Sequence, residues 1–225
     1  MERKRVFVDS PRHQGMRKKL VDELRQKGIT NEAVLAAVQS VPRHFFLDTA
    51  FEDIAYENRA FPIAAQQTIS HPYTVAYQTQ LLEVAKFQKI LEIGTGSMYQ
   101  SVVLSALAPS ATIFTIERQK ELFDAQSKLA FRTPKYLNIK TYYGDGFAGL
   151  KAYAPFDRIL VTAAAPFVPP TLLDQLKVGG KLVIPVDEAD QLQRMLRITK
   201  QADGSLSEES FEAFSFVPML QGKNK

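Results

Sequence analysis

The chain contains no cysteine. Disulfide bridges and thiolate metal sites are therefore excluded, and a reducing compartment fits. Histidine is scarce: His13, His44 and His71 are the only three, and no two stand at a helical spacing suited to a metal. No apolar run approaches the roughly 20 residues of a membrane-spanning helix. The basic opening Met1-Glu2-Arg3-Lys4-Arg5 is not followed by the apolar core of a signal peptide. A cytoplasmic location is the expectation. Internal repeats and low-complexity linkers are missing too, so the chain reads as one domain.

What is present is globular. The 225 residues are 45% hydrophobic and 23% charged, enough for one domain with a substantial core. The net charge of +4 is mild. Basic residues gather near the start (Arg3, Lys4, Arg5, Arg12, Arg17, Lys18, Lys19) and at the end (Lys223, Lys225). Such clusters are ordinarily solvated faces or tails, so neither nucleic acid nor membrane is an expected partner.

The expected organisation is a helical and loop extension (1–68), a βαβ core (69–190) and a hairpin with a tail (191–225). Met16, Leu20 and Leu24 share a helix face, with Gly28 as the stop. Thr30 or Asn31 can cap a second helix carrying Val34, Leu35 and Val38. Pro42 breaks the pattern, and Phe45, Phe46, Phe51, Tyr56 and Phe61 follow without a clean period, as in an aromatic-anchored loop. Strands are expected over 90–93, 112–116, 139–143, 158–162 and 181–185. Helices are expected over 99–108, at Leu122, Ala125 and Leu129, and over 172–176. Such alternation implies parallel βαβ units. Two further strands, 192–200 and 211–217, flank the turn Ala202-Asp203-Gly204-Ser205 and suggest an antiparallel hairpin at one sheet edge. The sum is a doubly wound α/β fold with a mostly parallel sheet of seven strands.

In such a sheet the ligand lies beyond the carboxyl ends of the strands, near a topological switch point. The strand ending at Ile93 runs straight into Gly94-Thr95-Gly96. A P-loop would need Gly-Lys-Ser/Thr, which is missing, and a dinucleotide fingerprint would need glycine where Tyr99 stands. S-adenosylmethionine has no phosphate and suits the remaining features. Glu92 suits the cationic side of that ligand. Glu117, ending the second strand, is placed for a ribose diol. Gly144-Asp145-Gly146 follows the third strand, where Asp145 could hold an adenine amino group. Singly each is ordinary: a glycine loop is often a turn, Glu117 beside Arg118 a helix-start acid with its pair, and Asp145 a turn residue. All three at successive strand ends favour a site.

These residues resemble the protein-L-isoaspartate O-methyltransferase family, from about Val41 to Pro218. The similar segments include Val41-Pro42-Arg43-His44-Phe45, Gln67-Thr68-Ile69-Ser70, Leu91-Glu92-Ile93-Gly94-Thr95-Gly96-Ser97, Thr115-Ile116-Glu117-Arg118, Gly144-Asp145-Gly146, Ala154-Pro155-Phe156-Asp157, Val161-Thr162-Ala163-Ala164-Ala165-Pro166 and Gln175-Leu176-Lys177-Val178-Gly179-Gly180. The resemblance implies the class I S-adenosylmethionine-dependent methyltransferase fold. It also implies a monomeric repair enzyme that methylates the α-carboxylate of L-isoaspartyl residues in damaged proteins and peptides. Its implied sites are Ser70 as the active-site position and Glu92, Gly94, Thr95, Gly96, Glu117, Arg118, Asp145 and Gly146 around the cofactor. Ser70 can also be read as a helix cap before Pro72.

Three positions depart from the family pattern: Met98 where glycine is usual, His71 where bacterial members usually have Gln, and Ala64-Ala65-Gln66 where glycines are frequent. Met98 could crowd the methionine end of the cofactor or pack elsewhere. His71 could add a donor or a pH dependence, or be an exposed loop residue. Two alternatives stay open: a methyltransferase for a small molecule or nucleic acid on the same scaffold, and a weakly active or non-catalytic relative.

Overall fold

The computed structural model describes residues 7–127, 136–188 and 192–224. The N-terminal helices form where sequence chemistry puts them. Helix α1 (Pro11–Gln26) starts behind Ser10, whose side chain accepts from the His13 amide, and has Pro11 in its first turn. It buries Leu20, Val21 and Leu24, and Gly28 at φ +99° follows its end. Helix α2 (Glu32–Ser40) is capped by Asn31, which accepts from Ala33 and Val34 N–H, and buries Val34, Leu35, Ala37 and Val38.

The stretch after Pro42 is more ordered than an anchored loop. It holds two 3-10 turns, Arg43–Phe46 and Thr49–Ile54. A small antiparallel hairpin follows, β1 (Phe61–Pro62) with β2 (Thr68–Ile69). Its turn carries none of the usual glycine or asparagine. Ala65 and Gln66 nevertheless take φ +54° and +56°, and Gln67 N–H donates to Ala64 O at 3.2 Å, as a type I′ turn requires.

Helix α3 (Pro72–Leu82) comes next. The capping role considered for Ser70 is not observed: His71 occupies the cap position and makes no side-chain cap bond. The Tyr73 N–H is instead satisfied by the Asn58 side chain at 2.9 Å.

The main sheet comprises β3 (Lys89–Ile93), β4 (Thr112–Glu117), β5 (Ile139–Tyr143), β6 (Phe156–Val161), β7 (Leu176–Asp187), β8 (Gln193–Lys200) and β9 (Leu206–Phe214). They lie in the order β5-β4-β3-β6-β7-β8-β9. The first five are mutually parallel; β8 and β9 are antiparallel and close one edge, as the hairpin pattern implied. Helices α4 (Tyr99–Leu107), α5 (Lys120–Ser127) and α6 (Pro170–Asp174) connect them. Both faces are covered, so every residue of β3 and β4 after the first is buried, Glu92, Thr115 and Glu117 included. On one face Ile90, Ile113 and Leu160 pack with α1–α4. On the other, Leu91, Ile93, Phe114 and Ile159 form a second cluster.

Several details differ from expectation, among them that β9 begins at Leu206 in place of 211 and β6 at Phe156 in place of 158. Strand β7 begins at Leu176, so Gly179-Gly180 lie inside it, beside a register shift against β6. Strand β9 ends at Phe214, and 215–217 turn off toward the strand ends. Helix α6 starts two residues early. In α5 the buried positions are Leu122 and Gln126, while Ala125 is exposed; Leu129 lies outside the described residues.

Candidate active site

Strand β3 lies between β4 and β6: the chain winds outward through β4 and β5, then returns to β6 on the other side of β3, which makes this the switch point. At the carboxyl ends of these strands is a cavity of about 580 Å³ lined by Gly94, Gly96, Glu117, Arg118, Gly146 and Thr162, among others. That size suits a ligand of cofactor dimensions. Two glycines are sterically required. Gly94 has φ +97°, and a Cβ there would sit 2.5 Å from Thr162 Oγ1. This hydroxyl is itself held against Ile93 O (2.9 Å) and Gly94 O (2.8 Å). A Cβ on Gly146 would collide with Ile93 Cγ2.

Glu117 closes β4 and is almost fully buried. Its Oε2 accepts from Gly96 N–H and its Oε1 from Gln119 N–H, both at 2.8 Å. Burial raises its pKa, while backbone N–H groups of Gln119, Gly96 and Arg118 hold it down. Each oxygen retains a lone pair for a further donor from the cavity. Arg118 is not simply the ion-pair partner of Glu117. Its guanidinium donates to Gly222 O at 3.1 Å and Gln221 O at 3.4 Å.

Three expected cofactor residues are set back from the cavity wall. Glu92 is fully buried, receives the Ser101 hydroxyl of α4, and leaves Oε1 without a hydrogen bond. Burial pushes its pKa up to about 7, with Glu117 adding to the rise and the Ser101 and Thr115 hydroxyls opposing it. The structure places Glu92 inside the helix–sheet layer, off the cavity wall. The Thr95 side chain is buried against Thr115, with the two hydroxyls 2.7 Å apart. Asp145 caps a short 3-10 turn by accepting from Phe147 N–H, and its second oxygen accepts from Gly222 N–H, both at 2.9 Å. It anchors the tail in place of facing a ligand directly.

That tail is the part of the site the sequence did not disclose. Val217, Pro218, Met219, Leu220 and Asn224 all line the cavity. Met219 N–H donates to Ala164 O at 2.6 Å, and Asn224 N–H to Arg118 O at 2.9 Å. Nothing in the segment bears recognisable chemistry; its role follows from where the chain returns. The rim opposite comes from the hairpin turn, Ala65 to Thr68.

A second, smaller recess of about 30 Å³ adjoins the first and shares Thr68, Thr162 and Val217 with it. Ser70, His71, Thr74 and Ser215 contribute its polar groups. Burial lowers the His71 pKa, and the Arg43 charge lowers it further. Met98 keeps the left-handed backbone, φ +72°, that glycine would adopt, but its side chain is 1% exposed in the helical core and lines neither cavity.

A family model, "Protein-L-isoaspartate(D-aspartate) O-methyltransferase (PCMT)", matches residues 15–224. The chain belongs to the protein-L-isoaspartate O-methyltransferase family. Among its relatives, proteins of that name from Christiangramia forsetii and Flavobacterium johnsoniae are 51% and 52% identical, each match covering 96% of this chain and 99% of the relative. A Plasmodium falciparum crystal structure, provisionally named as a protein-L-isoaspartate O-methyltransferase and holding S-adenosyl-L-homocysteine, superposes with a TM-score of 0.80 at 26% identity. It covers 91% of this chain and 98% of that one.

Proposed function

We infer that the protein transfers a methyl group from S-adenosylmethionine to the α-carboxylate of L-isoaspartyl residues in damaged proteins and peptides. The observation that carries this reading is the pair of adjoining cavities. A cofactor-sized space adjoins a small polar recess containing Ser70, and Thr68, Thr162 and Val217 line both. Family membership supplies the substrate class.

The larger cavity fits the cofactor on its own features. Gly94 and Gly146 leave room that a Cβ would fill, and Glu117 offers carboxylate lone pairs suited to a diol. Gly96, Glu117, Arg118 and Gly146 would hold the cofactor there. When bound, it supplies an electrophilic methyl group on a sulfonium. The acceptor carboxylate is already ionised near neutral pH, with an ordinary pKa of about 4, so no strong base is needed. The chain's task is to orient. The Ser70 hydroxyl would donate a hydrogen bond to one carboxylate oxygen and aim the other toward the cofactor cavity. Orientation of this kind contributes up to roughly 7–11 kcal/mol in favourable cases. We further propose that the chain acts as a single-domain cytoplasmic monomer, with neither nucleic acid nor membrane as partner; among the described residues no helix is long and apolar enough to span a membrane.

Two substitutions test the assignment. Ser70→Ala should lower kcat/KM for an isoaspartyl peptide roughly ten- to a hundredfold, the worth of a hydrogen bond to a charged group, with S-adenosylhomocysteine affinity unchanged. Glu117→Ala should weaken that affinity by a similar factor. If calorimetry shows Ser70→Ala losing the cofactor product, or Glu117→Ala retaining it fully, the roles are misassigned.

A further inference from the structure

Arg43 opens the 3-10 turn Arg43–Phe46 and is completely buried. Its guanidinium lies 4.8 Å over the ring of Tyr99, the first residue of α4. One nitrogen, Nη2, donates to Ser70 O at 2.7 Å and to Arg59 O at 3.3 Å. Nε and Nη1 make no hydrogen bond of normal geometry among the described residues, although the Tyr99 phenol is near enough to favour the charged form. Burial pulls its pKa down to about 10, so it stays charged at neutral pH. No carboxylate is among the groups it bonds to.

A buried, half-satisfied cation is a poor device for stability. Desolvation works against it, and an apolar side chain of similar volume is often tolerated or even stabilising. What Arg43 holds is more informative. Arg59 and Ser70 flank the β1–β2 hairpin, and Ala60 and Ser70 are walls of the small recess. One guanidinium nitrogen therefore fixes both chain segments at the mouth of that hairpin. Its charge also reaches the recess, where His71 senses it.

We propose that Arg43 is a positioning residue for the carboxylate acceptor, fixing Ser70 through its peptide carbonyl and placing positive potential behind the recess. The proposal rests on the acceptor role of Ser70. Its physical content is separate: geometry transmitted through a main-chain carbonyl, and a field that favours an anion and disfavours protonated His71.

The test compares Arg43→Met, Arg43→Lys and Ser70→Ala in the full chain. Four quantities are measured: thermal unfolding, S-adenosylhomocysteine affinity by calorimetry, kcat and KM for an isoaspartyl peptide, and the His71 titration midpoint by NMR. Arg43→Met should melt no lower than the parent, keep S-adenosylhomocysteine affinity within about twofold, and raise peptide KM about tenfold or more. Its His71 midpoint should move up. Arg43→Lys retains the charge but not the planar fork, so kcat should fall while the His71 midpoint stays near that of the parent. Peptide kcat and KM within twofold of the parent in the folded variants would overturn the proposal, as would S-adenosylhomocysteine affinity falling in step with activity. An unmoved His71 midpoint in Arg43→Met overturns the field. If Arg43→Met does not fold, Arg43→Lys decides by the same kinetic criterion. Impaired Ser70→Ala beside normal Arg43 variants sinks this proposal alone; normal Ser70→Ala sinks the reading beneath it.

Discussion

At the residue scale, the facing of a side chain on its strand decides whether it meets the cavity or the core. Gly94, Gly96, Glu117 and Gly146 line the cavity because they follow strand ends, which any βαβ reading locates. Glu92 lies off the cavity wall for a reason that strand parity contains. It shares a face with Ile90, which packs among the helices, whereas Leu91 and Ile93 point to the other side. Its burial has a pH signature. The folded pKa of about 7 lies above the ordinary 4.5, so between these values the folded state binds a proton that the unfolded state has released. Stability therefore falls as pH rises through that window and levels off above it. Glu92→Gln removes this dependence. Chemical denaturation should show the variant gaining about 3 kcal/mol relative to the parent between pH 4 and pH 8. A difference that is flat with pH would contradict the burial argument. Met98 makes a second case. Glycine there would relax the φ of +72°, but deleting a buried Met costs roughly 2–5 kcal/mol against a strain relief of about 1. Met98→Gly should thus lower the melting temperature and leave S-adenosylhomocysteine affinity unchanged. A stabilised variant, or one with tighter binding, would show that Met98 crowds the site after all.

At the element scale, helices with side-chain caps and strands with apolar runs were legible, because Ser10 and Asn31 carry local signals. The β1–β2 hairpin was hidden because its turn contradicts local preference. Ala65 and Gln66 adopt a backbone that asparagine and glycine take at less cost. Context holds them there: Ile63 N–H bonds to Gln67 O at 2.8 Å, and Phe61 and Ile69 are buried in register. The double variant Ala65→Asn with Gln66→Gly should raise stability by about 1–2 kcal/mol, a rise in Tm of several degrees for a chain of this length. A calorimetric melt no higher than the parent's would mean that the turn is not strained. The start of helix α3 was obscured for a related reason, since the side chain that satisfies its Tyr73 N–H is Asn58, distant in sequence.

At the scale of the whole molecule, alternation of strands and helices was sufficient for the sheet and its closing hairpin. It was insufficient for the tail, which crosses back from the far edge of the sheet to Asp145, Arg118 and Gln119. No local pattern encodes such a return; it exists because β9 ends where the chain can reach the cofactor end of β4. The two cavities depend on that return, since Val217 walls both. The central claim is that this paired site accepts an isoaspartyl carboxylate. The direct measurement offers labelled S-adenosylmethionine with two peptides that differ only in an isoaspartyl or a normal aspartyl linkage. The account predicts a base-labile methyl ester on the isoaspartyl peptide and none on its twin. Equal labelling of the two, or no labelling of either, would contradict it.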